Sequence, residues 1–494
     1  MRVFARTAAV IWVVYFVSME AAAQGPLAPA GAPAPGMKTL DQLDTKLTSL
    51  QLNMQYVKNR VDVSEPRIAI QAVPTNITSA GSYYLADNMT VTTVTNAIAV
   101  RTGDVTLDLM GFNLECTAPA PAGSCGILID TNSNVEVRNG TIKGFGRAVA
   151  AYPGSRGNRV IGIRALENLE YGILLASPGA VVTDCNVHGP GGLQAGIRVD
   201  RQALVICNYV AGSAGSGITA SNACVIARNI THSNATFGII TGNDCILSDN
   251  LATGPGHASA GIRCRNNCTL VRNTATFADD NGIHCDDACV LIGNIASTNG
   301  GVGIAASMGC TLVANTAQHN RYGGIMSDSC CTLQGNAAYE NQSAGIEADV
   351  NSTVINNASG YNTGSGIYVG SECVVKNNAA CDNNNNGIRV NNACVIADNV
   401  IADNNSIDSA SFAGLRLSRD CMVRNNLVTD CNQYNIYCYD DNSVLEENLV
   451  TWGPDYGIYF NATGNYYISN RYSDNSTNVY NSAGQTDGGG NVAF

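Results

Sequence analysis

Hydrophobic and polar positions along this chain follow two different rhythms. In the first, Leu40, Leu43, Leu47, Leu50, Met54, Val57 and Val61 are separated by alternating steps of 3 and 4 residues. That spacing lines one face of a helix and predicts an amphipathic heptad helix over residues 37–62. A helix of this length is marginal alone and needs a surface against its apolar stripe. Two surfaces would serve: copies of the same helix, giving a homo-oligomer through residues 40–61, or the first rung of the domain that follows. After Pro66 the rhythm changes, and Val105, Leu107 and Leu109 alternate with polar neighbours as a half-buried strand does.

A longer repeat then takes over. Gly–Ile pairs begin at residues 126, 172, 196, 217, 238, 261, 282, 303, 324, 345, 366 and 387, and Gly414–Leu415 and Gly457–Ile458 close the series. From Gly261 to Gly387 every step is 21 residues, and a fixed period of this size marks a solenoid. Each unit reads Gly-Ile-x5-Cys-x-(Val/Leu/Ile)-x2-Asn-x-(Ala/Val). Its cysteine position runs from Cys224 and Cys245 to Cys394 and Cys421, its asparagine position from Asn208 and Asn229 to Asn426. Two or three short strands per unit cannot bury their apolar faces alone, but stacking places Ile on Ile every ~4.8 Å. A small thiol suits a narrow interior. A buried Asn costs a few kcal/mol unless bonded, and Asn side chains stacked in register can bond to one another as a ladder. The glycine before each isoleucine predicts a backbone conformation that a β-carbon forbids. The pattern predicts an all-β solenoid over residues 66–470, about fifteen rungs and on the order of 70 Å long, then a Gly/Asn-rich end over 471–494.

Composition narrows the setting. Charged residues are 13% of the chain and the net charge is −12; a dedicated nucleic-acid binder, which needs a basic stripe, is excluded on that ground. Residues 1–23 read as a secretory signal, with Arg2 and Arg6 before the apolar run Ala8 to Val17 and Ala21-Ala22-Ala23 as the cleavage site. Residues 24–36 form a Pro/Ala linker, and no later segment is apolar for long enough to cross a membrane. The expected location is extracellular or periplasmic. There are 19 cysteines, a number that suggests disulfides in an exported protein, but the ladder positions should hold buried free thiols. Better candidates for pairing are Cys116 with Cys125 and Cys264 with Cys285. No CxxC pair or Cys/His spacing of the zinc type appears.

The Gly-Ile/Asn rung pattern resembles the right-handed parallel β-helix repeat superfamily, which includes pectate-lyase-like, NosD-like and other carbohydrate-binding or sugar-hydrolase proteins. The resemblance covers roughly residues 75 to 470. Glu65-Pro66-Arg67-Ile68, Gly81-Ser82-Tyr83-Tyr84-Leu85 and Val105-Thr106-Leu107-Asp108-Leu109 look like the entry to such helices in exported bacterial proteins. It implies a right-handed parallel β-helix but no particular activity, since the fold hosts many. The Gly-His-Gly and Arg-Ile-Lys signatures of polygalacturonase-like members are absent, as is the Asp-Pro-His of alginate epimerases.

Candidate chemistry lies on the outer strand face, where residues two and four places after each glycine should alternate outward with the inward isoleucine. Arg263, Arg265, His284 and Asp286 fall on two adjacent rungs, and could neutralise a sugar carboxylate and move a proton. Asp279, Asp280 and Asp287 in nearby turns could hold Ca²⁺ through oxygen ligands. Glu347, Tyr368, Arg389, Arg416, Tyr437 and Tyr459 continue the face and could bind a glycan, the tyrosines by stacking. Two function classes follow: a glycan-binding or structural solenoid at the cell surface or in the matrix, or a polysaccharide lyase, epimerase or hydrolase working at the His284 face on an acidic polysaccharide. The lack of long loop insertions between Gly261 and Gly387 favours the first.

Overall fold

The computed structural model describes residues 67–494, apart from 93–94, 190–193, 255, 257, 408, 410 and 482; upstream it describes Thr48 alone. The signal peptide, linker and heptad helix expected over residues 1–62, with the oligomer through 40–61, therefore lie outside the described residues. Residues 67–494 form an all-β parallel solenoid, and their described part contains no helix.

Val135–Lys143 and Arg159–Leu166 each run on through two faces, while most rungs contribute three short strands, one to each of three parallel faces. In one rung they are Ala260–Cys264, Thr269–Val271 and Thr274–Thr276, and in the next Asn281–Cys285, Val290–Ile292 and Ile295–Ser297. Stacking is in register: Ile262 pairs with Ile283, Leu270 with Leu291 and Ala275 with Ala296, all fully buried. The first face, which carries the Gly–Ile pairs, has about nineteen strands, from Thr75–Ile77 to Thr477–Tyr480. The count exceeds fifteen because several rungs lack the pair. In Asn96–Val100, Arg147–Ala151 and Tyr434–Cys438 the glycine position is held by Ala97, Ala148 and Asn435. Strand pairing also continues into 471–494, where Arg471 pairs with Val492.

Corners between strands are made by residues in the left-handed region. Asn267, Arg272 and Phe277 have φ of 59°, 51° and 59° and turn the three corners of a single rung. Such a conformation costs a non-glycine residue about 1–2 kcal/mol. The residue that follows offsets this. Nδ2 of Asn315 donates to Leu291 O at 2.9 Å and to Asn336 Oδ1 at 3.0 Å, and its Oδ1 accepts from N–H and Nδ2 of Asn294, both at 2.9 Å. At about 0.5–1.5 kcal/mol per bond, the ladder outweighs the corner. This ladder extends past Asn426 through Asn448 and Asn470 to Asn491. A second asparagine ladder, at the corner after the third strand, runs from Asn299 through Asn320, Asn341, Asn362 and Asn383 to Asn404 at 2.9–3.0 Å per step.

The cysteine ladder works in the same way. The N–H of Cys268 donates to Cys289 Sγ at 3.4 Å, and Cys289 Sγ donates to Arg265 O at 3.0 Å. Ser352 takes the place in one rung, accepting from the N–H of Cys331 at 3.2 Å. The position thus takes a small side chain: Ala180 and Ala203 hold it in two earlier rungs, and where Cys or Ser stands there its side chain also bonds to the backbone.

The glycines before the isoleucines are not there for a special backbone angle, and the expectation is corrected on this point. At Gly282, whose φ is not in the left-handed region, a β-carbon would lie 2.5 Å from Asn299 Nδ2 and 2.7 Å from Gly303 O. The position points into the core, and what it excludes is a side chain.

Candidate functional site

Because the first face is parallel and in register, side chains two places after each glycine form one continuous outward row. Arg263 pairs with His284, which is followed by Ala305, Met326, Glu347 and Tyr368. The row goes on through Arg389, Arg416, Tyr437 and Tyr459 to Tyr480. Arg263, His284, Glu347, Tyr368, Arg389, Arg416, Tyr437 and Tyr459 thus share a single line, one residue per rung.

The first half of the row is acidic and concave. Short Ala305 lies between His284 and Met326, leaving an open groove of about 430 Å³ walled by His284, Asp328, Glu347, Asp349 and Tyr368. Asp286 Oδ1 is 3.9 Å from His284 Nε2 and 3.7 Å from an Arg263 guanidinium nitrogen, while Arg265 is exposed on the neighbouring strand end. Burial, aided by the Arg263 charge, holds the His284 imidazole below its ordinary range against the pull of Asp286, Asp280 and Asp328. Burial and Asp349 push the Glu347 carboxyl up, opposed by Arg389.

The second half is aromatic and basic. The Arg389 guanidinium lies 5.0 Å from the centre of the Tyr368 ring, and that of Arg416 lies 4.8 Å from Tyr439 and 5.7 Å from Tyr437. Arg416 is lowered by burial and by Arg389. Beyond it the tyrosines form a cluster: Tyr434 stacks on Tyr437 at 5.0 Å and Tyr456 at 5.6 Å, and Tyr459 stacks on Tyr480 at 5.0 Å. Tyr437 is covered, at 9% exposure, whereas Tyr439 and Tyr480 present open rings at 43% and 44%. Tyr434, Tyr456 and Tyr480 were not expected as site residues.

The three aspartates considered for Ca²⁺ are not brought together. Asp279 and Asp280 lie in the corner before the strand Asn281–Cys285, and Asp287 lies in the corner after it. Asp287 Oδ1 accepts from the N–H of Met308 at 3.2 Å, a bond between rungs.

Among solved structures, the Dettilon tailspike protein is 14% identical over 60% of this chain and 61% of its own length, with a TM-score of 0.33. The chain therefore spans about 61% of that tailspike. Pectate lyase Pel9A is 15% identical over 51% of this chain and 71% of its own, with a TM-score of 0.29. The A-module of the Azotobacter vinelandii mannuronan C-5 epimerase AlgE4 is 15% identical over 83% and 91%, with a TM-score of 0.21. No curated protein matches the sequence. A family model for the right-handed β-helix region matches residues 76–224, and one for the periplasmic copper-binding protein NosD matches residues 369–491. Within 369–491, no three His, Cys, Asp or Glu ligand atoms converge among the described residues in the manner a metal ion needs. The rungs and parallel register are those of a parallel β-helix repeat solenoid, the fold that the right-handed β-helix family model matched over residues 76–224 describes.

Proposed function

We propose that this protein is an extracytoplasmic solenoid that binds an acidic glycan along the outward row of its first face. The observation that carries the reading is the Arg389–Arg416 pair. Two half-buried guanidinium groups stand on adjacent rungs, each against a tyrosine ring, and among the described residues neither forms an ion pair. Like charges set side by side call for an anion between them, and guanidinium binds carboxylate or sulfate bidentately. Tyr439, Tyr459 and Tyr480 supply sugar-stacking faces beside it. Export is supported by the signal-like residues 1–23, and no helix among the described residues is long and apolar enough to cross a membrane. A family model for a periplasmic protein matches residues 369–491, which fits the same setting. Residues 40–61 would join copies into an oligomer, which light scattering on the full chain tests.

The test is affinity electrophoresis of the full chain through gels holding polygalacturonate, alginate or a neutral glucan. Retardation by an acidic polymer, lost on joint substitution of Arg389→Ala and Arg416→Ala, is expected. Mobility unchanged in all three gels would refute the proposal.

A second reading, an enzyme at the acidic groove, is favoured by one observation. His284 stands beside Asp286 and Arg263 with its imidazole pushed below the ordinary range by burial, a shift that favours the proton-accepting form a general base needs. Incubation with the same polymers, with and without Ca²⁺, tests it: turnover that His284→Ala abolishes would place catalysis there.

A further inference from the structure

The interior of the solenoid changes character at one place. On the first face, the inward side chain after the outward row is Thr241, then Cys264 and Cys285 on consecutive rungs, then Ala306 and Ser327. Cys264 and Cys285 therefore stand beside the ladder thiols Cys268 and Cys289 of the same two rungs, and all four residues are buried to 1% exposure or less. The sulfurs of Cys264, Cys268 and Cys289 all lie within 4.8 Å of one another, and Cys285 Sγ is 3.0 Å from Cys264 Sγ. No other group of three metal-ligating side chains converges in this way among the described residues.

We infer that this cluster is a binding site for a single thiophilic d¹⁰ cation, Cu⁺ or Zn²⁺, held by the thiolates of Cys264, Cys268 and Cys289, with Cys285 available as a fourth ligand. An ion ~2.3 Å from each sulfur requires sulfurs about 4 Å apart, which small side-chain rotations provide here. Thiolate-only sets in water-free surroundings select these soft ions over hard ones such as Ca²⁺. One feature separates the cluster from the rest of the cysteine ladder. Cys264 and Cys285 are outside the ladder and have only thiol partners, so they are not committed to holding the backbone. Cys268 and Cys289 keep amide donors when they ionise, from the N–H of Cys245 and Cys268, both at 3.4 Å. Each ligand gives up its thiol proton on binding. Cys268 and Cys289 then exchange bonds donated to Gly242 O at 3.2 Å and Arg265 O at 3.0 Å for bonds to the ion. The site falls outside residues 369–491 and is not legible as a motif, because its ligands come from two Cys-x3-Cys segments that only the stacking of rungs brings together.

The site has no solvent opening, so the ion must enter as the rungs form. The full chain is unfolded in denaturant with a thiol reductant under argon. It is then refolded with excess Zn²⁺, with excess Cu⁺, or with neither, and freed of loose metal on a chelating column. Metal content is read by mass spectrometry of the ion and by ultraviolet thiolate-to-metal absorption. Retention of close to one equivalent of either ion supports the site, and the arm that retains it identifies the ion. Cys264→Ala, a residue found at this position one rung beyond Cys285, should fold and drop retention at least tenfold. Cys373→Ser, at a ladder position where Ser352 already occurs one rung away, should keep the full equivalent. Retention below a tenth of an equivalent, retention equal in Cys264→Ala, or a Cys264–Cys285 disulfide in the protein isolated without reductant would overturn the inference.

Discussion

The two halves of the outward row are built on the same backbone and carry opposite chemistry. Beneath Met326 and Glu347, as beneath Arg389 and Arg416, the inward residues are Ile or Leu, and the same asparagine ladder closes the corner. Above them, one half is a concave acidic groove and the other a row of arginines and tyrosines. The difference shows that the interior specifies only that a rung forms, while the residue two places after the glycine is free to vary, since no rung depends on it. Whatever this solenoid binds is encoded in that row, and the two halves should respond differently to substitution there and alike to substitution inside.

The largest effect tests the shared interior. Asn336→Ala lies under the acidic half and Asn399→Ala under the basic half, and each removes the Oδ1 that accepts from the N–H and Nδ2 of the ladder asparagine one rung before, Asn315 and Asn378. Each should cost about 2–4 kcal/mol in denaturant unfolding, and clearly unequal costs would break the claim that the two interiors are equivalent.

Next comes the basic pair. Joint replacement of Arg389 and Arg416 by Ala should weaken an acidic glycan about 10- to 100-fold in calorimetric titration, with no loss of melting temperature. Binding that is indifferent to this change moves the site elsewhere. Raising the salt should weaken the wild type and leave the double variant little changed.

Tyr480→Ala removes an open ring and should cost about three- to tenfold in the same titration. An equal loss from Tyr322→Ala, an exposed tyrosine outside the row, would mean that the ring acts through general surface and not through the row.

The smallest effect is on the acidic side. The Glu347 carboxyl is raised in the folded protein, so its charged form disfavours folding. Below the unfolded carboxylate range both states are protonated and Glu347→Gln should be neutral. As pH rises through the raised value the charge appears, and by pH 7 the variant should melt higher than the wild type. A gain present at pH 3 as well would assign the effect to packing.

How much of this was legible in the sequence depends on what the period reports. The 21-residue repeat revealed the solenoid and the outward row because alternation is fixed once Ile faces in. It missed rungs where Ala97, Ala148 or Asn435 stands for glycine, since any residue that tolerates the close approach will stack there. The second ladder, Asn299 to Asn404, has the same period as the first but lies outside the Gly-Ile-Cys-Asn unit. Tyr434 and Tyr456 were missed for a different reason. The glycine position points inward together with the isoleucine after it, so alternation breaks there and the residue before the glycine faces out. Asp279, Asp280 and Asp287 are close in sequence, but a strand of five residues separates the two corners that hold them.

The most direct measurement is hydroxyl-radical footprinting of the full chain, read peptide by peptide, with and without oligogalacturonate. The account predicts protection of Tyr439, Tyr459 and Tyr480, with the groove residues His284 and Met326 unprotected. Protection confined to His284 and Met326, or none anywhere on the first face, would contradict it.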